Sequence, residues 1–268
     1  MLFSIVTPSF NCGDWILENF RTVRAQGFSP DQLEQWVIDG GSTDGTVDLL
    51  KQQPHIKWIS EPDRGLSDAV NKGIQRAQGD WIIWLNADDL LAQNALRTFL
   101  EYTRKYPQHR LFVGDLIFLG YDGSPEHEVK ARAYTFDGLL GMQPSINQQS
   151  TIIHREVFTK AGLIDITIRY AMDYEWMVRA VQHYEVVPIP HVLAYYRRRK
   201  GSIMDAHMAA HFREFLRQRR KYGKPYWERA EWWMRCYIYT DWLRRIHWAR
   251  RGVRAVKRWF GREPSHPA

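Results

Sequence analysis

Only two cysteines, Cys12 and Cys236, occur in 268 residues, far apart and in no metal-binding spacing. Such sparing use suits a reducing cytoplasm. No apolar run approaches the roughly 18 residues that a membrane span needs,. The first residues, M-L-F-S-I-V-T-P-S-F-N, lack a basic start, a long apolar stretch and a small-residue cleavage site, so no secretory signal is expected,. Neither G-x-x-x-x-G-K-S/T nor G-x-G-x-x-G is present, which weighs against an NTPase and a dehydrogenase,. Internal repeats and low-complexity tracts are absent as well.

What is there reads as globular: 44% hydrophobic and 25% charged residues, in a chain long enough for one large domain or a domain with an appendage,. The net charge of +7 hides a split. From Tyr195 onward 20 Lys+Arg face 6 Asp+Glu, a net +14, whereas the first 194 residues carry a net −7. Six of the 12 Trp also follow residue 195. Two regions with different partners are expected.

Residues 2–7 form a short apolar run stopped by Pro8, a first strand, and helical spacing of Trp15, Ile16, Phe20 and Val23 gives a helix over 13–26,. Strands follow at 34–39, 55–60 and 81–86. Helices lie between them, one capped by Ser42, Thr43 or Asp44 and running to about Gln53, the next over 66–77,. This alternation predicts a parallel, doubly wound sheet, in which ligands bind beyond the carboxyl ends of the strands. The polar clusters fall there: T-P-S-F-N, D-G-G-S-T-D-G, E-P-D-R-G and N-A-D-D. The segment 111–190 mixes short strands with helices near 155–161 and 173–183, and 205–260 is mainly helical.

The adjacent acids of N-A-D-D have two readings. Asp88 or Asp89 caps a helix over the following L-L-A-Q-N-A-L-R-T-F-L, or a Mg²⁺ or Mn²⁺ is held by one or two carboxylates with substrate phosphates completing its shell,. Asp39, ending its strand, is placed to accept hydrogen bonds from a base or ribose.

Together T-P-S-F-N (7–11), D-G-G-S-T-D-G-T (39–46), E-P-D-R-G-L-S-D-A-V-N-K-G-I (61–74) and L-N-A-D-D (85–89) resemble the family 2 glycosyltransferases of the GT-A fold, over roughly residues 3–200. The resemblance implies an α/β, Rossmann-like GT-A domain over 1–204, with a nucleotide-sugar half to about 110 and an acceptor half over 111–204. A basic, Trp-rich helical extension then covers 205–268. It implies an inverting transfer of sugar from a nucleotide-diphosphate donor, with Thr7, Pro8 and Asp39 at the base and ribose, Asp63 and Asn71 completing the nucleotide site, and Asp88 as ligand of Mn²⁺ or Mg²⁺. The first position of the family's D-x-D is Asn86 here, which is expected to reach the ribose or donor sugar and to weaken metal affinity.

Residues 146–165 and 170–180 resemble the acceptor half of bacterial members, which makes Asp173 the general base, with an N-cap of helix 174–183 as its structural alternative,. Glu175 is the rival base, read rather as an orienting or salt-bridging group. Gln148 and Gln149 are candidates for sugar hydroxyls, with Asp89 as a further candidate for the donor or acceptor sugar, and His154 is read as a packed core histidine. The basic Y-Y-R-R-R-K-G-S-I (195–203) is either a solvated loop or a cover for the diphosphate.

Near the end, Ile238, Trp242, Ile246, Ala249, Val253, Val256 and Phe260 form a stripe among seven Arg and Lys. That is a helix packed on the catalytic domain or on a second subunit of a homo-oligomer, or an interfacial helix on anionic lipid. No nucleic-acid-binding motif appears, and the acidic N-terminal part argues against nucleic acid. The expectation is a surface-glycan transferase acting on a glycan or lipid-linked acceptor, peripheral on the inner face of the plasma membrane. The alternatives are an inactive membrane-bound scaffold and a sugar nucleotidyltransferase, the latter lacking its glycine-rich basic loop after strand one.

Overall fold

A computed structural model describes residues 2–141, 146–199, 203–223 and 234. Residues 1–206 form one compact unit and the chain from 207 on a second. The first unit is built on one mixed sheet. Strands β1 (Phe3–Ser9), β2 (Leu33–Asp39), β3 (Lys57–Ser60) and β4 (Trp81–Trp84) run parallel in the order β3-β2-β1-β4. Beyond β4 the sheet continues through β8 (Thr151–His154), antiparallel to β4 and to β6 (Leu111–Leu119), and then to β9 (Val186–Arg197), parallel to β6. The two-residue β5 (Leu90–Leu91) closes the order on β9, and β7 (Pro125–Val129) pairs with β6.

All seven residues of β1 are buried, the mark of a central strand covered on both faces,. Alternation along it assigns the two faces. Phe3 and Ile5 join a core with Trp81, Ile83, Leu96 and Phe99, the last two from α4 (Ala95–Lys105). Val6 points the other way, toward Gly73 of α3 (Leu66–Arg76). A second core gathers Ile16 and Phe20 of α1 (Gly13–Arg24) with Val37 and with Leu50 of α2 (Thr46–Lys51).

Three local expectations are corrected. No residue of 42–44 caps α2: Gly45, in left-handed backbone (φ 92°), precedes it, and Asp44 instead accepts from the backbone N–H of Thr46 and of Gly13. Neither Asp88 nor Asp89 caps a helix, because Leu90–Leu91 pair with Tyr195 and Ala194 of β9 and the helix starts only at Ala95. His154 is not a core histidine. It is part-exposed, with its ring edge on Trp81, and its Nδ1 accepts from Glu156 N as the cap of α6 (Arg155–Ala161).

Three further α-helices complete the described part: α5 (Phe136–Leu140), α7 (Met172–Ala180), and α8 (Ile203–Lys221), whose backbone breaks from helix at His207. In α8, Ala209, Phe212 and Leu216 are buried at helical spacing,. The apolar stripe from 238 to 260 lies outside the described residues.

Candidate active site

The register of the parallel strands brings their carboxyl ends together: Ser9 lies beside Asp39, and Asp39 beside Ser60. Asp39 is fully buried, and the turn that follows it satisfies its charge. Oδ2 accepts from Gly41 N (3.1 Å), Ser42 N (2.9 Å) and Ser60 Oγ (2.7 Å), and Oδ1 from Ser42 Oγ (2.5 Å). The first two loops are stitched to each other through Asn11, whose N–H donates to Ser42 Oγ and whose Oδ1 accepts from Thr43 N. Asp63 arrives from the third loop so closely that a Cβ at residue 40 would lie 2.5 Å from its Oδ2 and displace that carboxylate. Beside them Phe10 is 60% exposed, a conspicuous apolar surface next to two carboxylates. Exposure of a large aromatic is a property of the loop's path rather than of its letters.

Three expected nucleotide residues have partners within the protein or are buried. Thr7 is buried and its hydroxyl accepts from Gln35 Nε2, which also donates to Asn19 Oδ1, while Pro8 is buried within β1. Asn71 closes a two-bond clamp on Ile164, donating to its carbonyl (2.8 Å) and accepting from its N–H (3.0 Å). It fastens α3 to the segment that precedes α7.

Beyond β4 the N-A-D-D loop divides its acids. Asp89 is fully buried, accepting from Arg197 N (3.1 Å), from Asn86 Nδ2 (2.9 Å) and from Gln149. Burial first, and then the charge of Asp88, hold its carboxyl well above the usual carboxylate range,. Asp88 is the acid left facing outward, and Arg199 of the basic run reaches it at 2.5 Å. Arg197, by contrast, is committed to Glu18 and the Trp15 ring, and Arg198 to Glu126 and Tyr121. The three arginines thus make separate contacts: Arg199 meets the Asp88 carboxylate, while Arg197 Nε donates to the Asp88 backbone carbonyl at 3.3 Å.

Among the described residues no cluster of three or more His, Cys, Asp or Glu is arranged to hold a metal. The donor set at this loop is one outward carboxylate. That fits a hard cation such as Mg²⁺ or Mn²⁺, which takes one or two protein carboxylates and completes its shell with phosphates and water.

Trp84, the last residue of β4, joins this edge to a small cleft, partly open to solvent and lined by Trp84, Gln148, Thr151, Asp173, Trp176 and Met177 among others. Its indole N–H donates to Asn86 Oδ1 (2.8 Å), and its carbonyl accepts from Gln148 Nε2. Asp173 stands in the first turn of α7, whose N-cap is Ala171, and its Oδ1 accepts from the backbone N–H of Tyr174 at 2.8 Å. Burial pushes the nearby Tyr134 phenol up to about 12, and the charge of Asp173 adds to the shift. Glu175 is buried and forked by Arg179, whose guanidinium also holds the carbonyls of Ala161 and Leu163. It is a salt-bridge partner.

Comparison with known proteins agrees with this geometry. The family model described as "Glycosyl transferase family 2" matches residues 4–156. The uncharacterized glycosyltransferase Rv1514c of Mycobacterium tuberculosis is 31% identical over 196 residues, covering 71% of this chain and 72% of that protein. The putative teichuronic acid biosynthesis glycosyltransferase TuaG of Bacillus subtilis is 32% identical over 130 residues, 46% of this chain and half the length of TuaG. Among solved structures, S. aureus TarS 1–349 in complex with UDP superposes with a TM-score of 0.61 at 15% identity, covering 81% of this chain and 65% of that one. The mannosyltransferase PcManGT of Pyrobaculum calidifontis, in complex with GDP-Man and Mn²⁺, gives 0.59 at 19% identity over 80% and 64%. The fold is that of the GT-A transferases. On the match of more than half its length, the chain belongs to family 2 of the glycosyl transferases.

Proposed function

We propose that the protein transfers a sugar, with inversion, from a nucleotide-diphosphate donor to a hydroxyl of a glycan or lipid-linked acceptor in bacterial surface-polysaccharide synthesis. The observation that carries this reading is the position of Trp84, which belongs both to the loop presenting Asp88 and to the cleft holding Asp173. Asp63 and the exposed ring of Phe10 take the base, one by hydrogen bonding and the other by stacking, while buried Asp39 holds the turn that carries their neighbours. A Mn²⁺ or Mg²⁺ bound at Asp88 would neutralise charge gathering on the departing diphosphate, and Arg199 is the protein's own cation at that carboxylate.

In the cleft the Asp173 carboxylate accepts the acceptor hydroxyl's proton as its oxygen attacks the anomeric carbon. The bond from that carbon to the diphosphate oxygen breaks on the opposite face, which inverts the centre. Holding both sugars in line makes the attack effectively unimolecular. Teichuronic acid synthesis by TuaG and the nucleotide complexes of TarS and PcManGT support the substrate classes. The basic, Trp-rich C-terminal part would hold the enzyme to the anionic inner face of the membrane.

The test is a panel of nucleotide sugars with Mn²⁺, scored by thermal shift and by transfer. One donor should raise the melting temperature, and Asp88→Ala should remove the metal-dependent part. Asp173→Asn should keep donor binding and lose transfer by about 10²–10⁴-fold. Near-full transfer by folded Asp173→Asn would refute the base, and donor binding with no turnover on any acceptor would mark a scaffold instead.

A further inference from the structure

The first position of the family's acidic motif is amide rather than acid in this chain, and the hydrogen bonds around Asn86 supply a reason. Its side chain lies between two partners of opposite character. Trp84 Nε1 is a donor only, and its bond at 2.8 Å fixes Oδ1 of Asn86 on that side,. The amide nitrogen is therefore turned to the other partner, Asp89, where it donates to Oδ2 at 2.9 Å. Oδ1 of Asp89 already accepts from Arg197 N, and Gln149 bonds the same carboxyl. The Asn86 carbonyl is held in turn by Asn19 Nδ2. Both ends of the amide are thus engaged within the protein, one on a cleft wall and one on a buried acid shared by three segments of chain.

An aspartate at this position would keep the bond from Trp84 but turn one carboxylate oxygen on another at Asp89. It would also crowd a third acid against Asp88 and Asp89.

We propose that Asn86 is a positioning residue, a polar relay that sets Trp84 against Asp89, and that it binds neither the donor sugar nor the metal. The exchange of acid for amide is then a gain of a donor rather than the decay of a ligand. The consequence for the acceptor rests on the reading of the Asp173 cleft given above. Asn86 fixes the wall against which the acceptor is presented.

The swap Asn86→Asp/Asp89→Asn separates this from a degenerate metal ligand. It preserves net charge, restores the family's first acid, and rebuilds the 86–89 bond with donor and acceptor exchanged. Two measurements on the full chain decide. The first is titration with Mn²⁺ alone, in which the swap should bind no more tightly than the wild type. The second is the ¹⁵N indole spectrum, in which the Trp84 signal is identified by its absence from Trp84→Phe. That signal should shift and lose protection from solvent exchange in Asn86→Ala, and return to its wild-type position in the swap.

A swap that tightens Mn²⁺ binding about tenfold or more would overturn the proposal and make residue 86 a ligand position. So would a Trp84 signal that stays put in Asn86→Ala, or one that the swap fails to restore. If Asn86→Ala does not fold, the swap alone carries both readouts. Asp173→Asn serves as the separate control. Its indole spectrum should be unchanged at Trp84, and full transfer by that variant would remove the cleft's catalytic role without touching the relay.

Discussion

Glu34 has no part in the site, yet four donors converge on it: Ser4 Oγ (2.5 Å), Gln78 N (2.6 Å), Lys57 Nζ (2.8 Å) and Trp36 Nε1 (3.1 Å). Burial pushes its carboxyl up, but the bonds from Lys57, Ser4 and Gln78 outweigh it and leave it below its ordinary value,. A depressed carboxylate contributes stability that is present above its unfolded pKa and lost as pH falls through the folded one. Melting temperature should therefore drop as the medium is acidified below the usual carboxylate range, and Glu34→Gln should flatten that drop. Glu34→Ala should cost about 1–3 kcal/mol at neutral pH in a denaturant titration, since it leaves buried donors without an acceptor. An equal pH slope in Glu34→Gln would count against this account. Residues of this kind were silent in the sequence, because a lone Glu on a strand carries no signal of Lys57, Ser4 and Gln78, which lie 23 to 44 positions away. The same holds for Asn71, whose motif pointed at a nucleotide while its amide is spent on Ile164.

Elements were far more legible than side-chain partners. Strand positions one to four are legible as short apolar runs, and the structure keeps them within a few residues, although β1 continues through Pro8 to Ser9. The errors lie where a cap was inferred from a polar residue, since Asp89 serves the distant backbone of Arg197 and Asp44 divides its carboxylate between Thr46 and distant Gly13. Long-range pairing decides such cases, and it is invisible to local pattern. Helix α3 offers a prediction at this scale. It meets β1 through Gly73, where a Cβ would fall 2.3 Å from Val6 Cγ1 and 3.3 Å from Ile38 Cγ1. Gly73→Ala gains about 1 kcal/mol of helix propensity, but overpacking against a sheet costs about 1–3 kcal/mol. The net effect should be a loss, read as a lower denaturant midpoint. A stabilised variant would mean that α3 slides freely on the sheet.

Across the whole molecule, the division of charge was legible from composition alone, whereas the order of the sheet past β4 was not. An antiparallel strand from the second half, inserted between β4 and β6, follows from no spacing in the chain. No helix among the described residues is long and apolar enough to cross a membrane. The net +14 from Tyr195 onward predicts that the full chain sediments with vesicles rich in anionic phospholipid, and less so as salt is raised,. Equal recovery with neutral vesicles would remove the electrostatic part of that idea. The inserted strand also bears on how the protein is made. Trp81–Trp84 has its pairing edge toward β8 uncovered until residues 151–154 leave the ribosome, which at about 5–20 residues per second is a wait of several seconds,. Through that interval the nascent donor half presents a bare, tryptophan-rich edge, the kind of surface that pairs with the wrong strand. A stalled or truncated product ending before residue 151 would thus be a client for chaperones, not a smaller working domain.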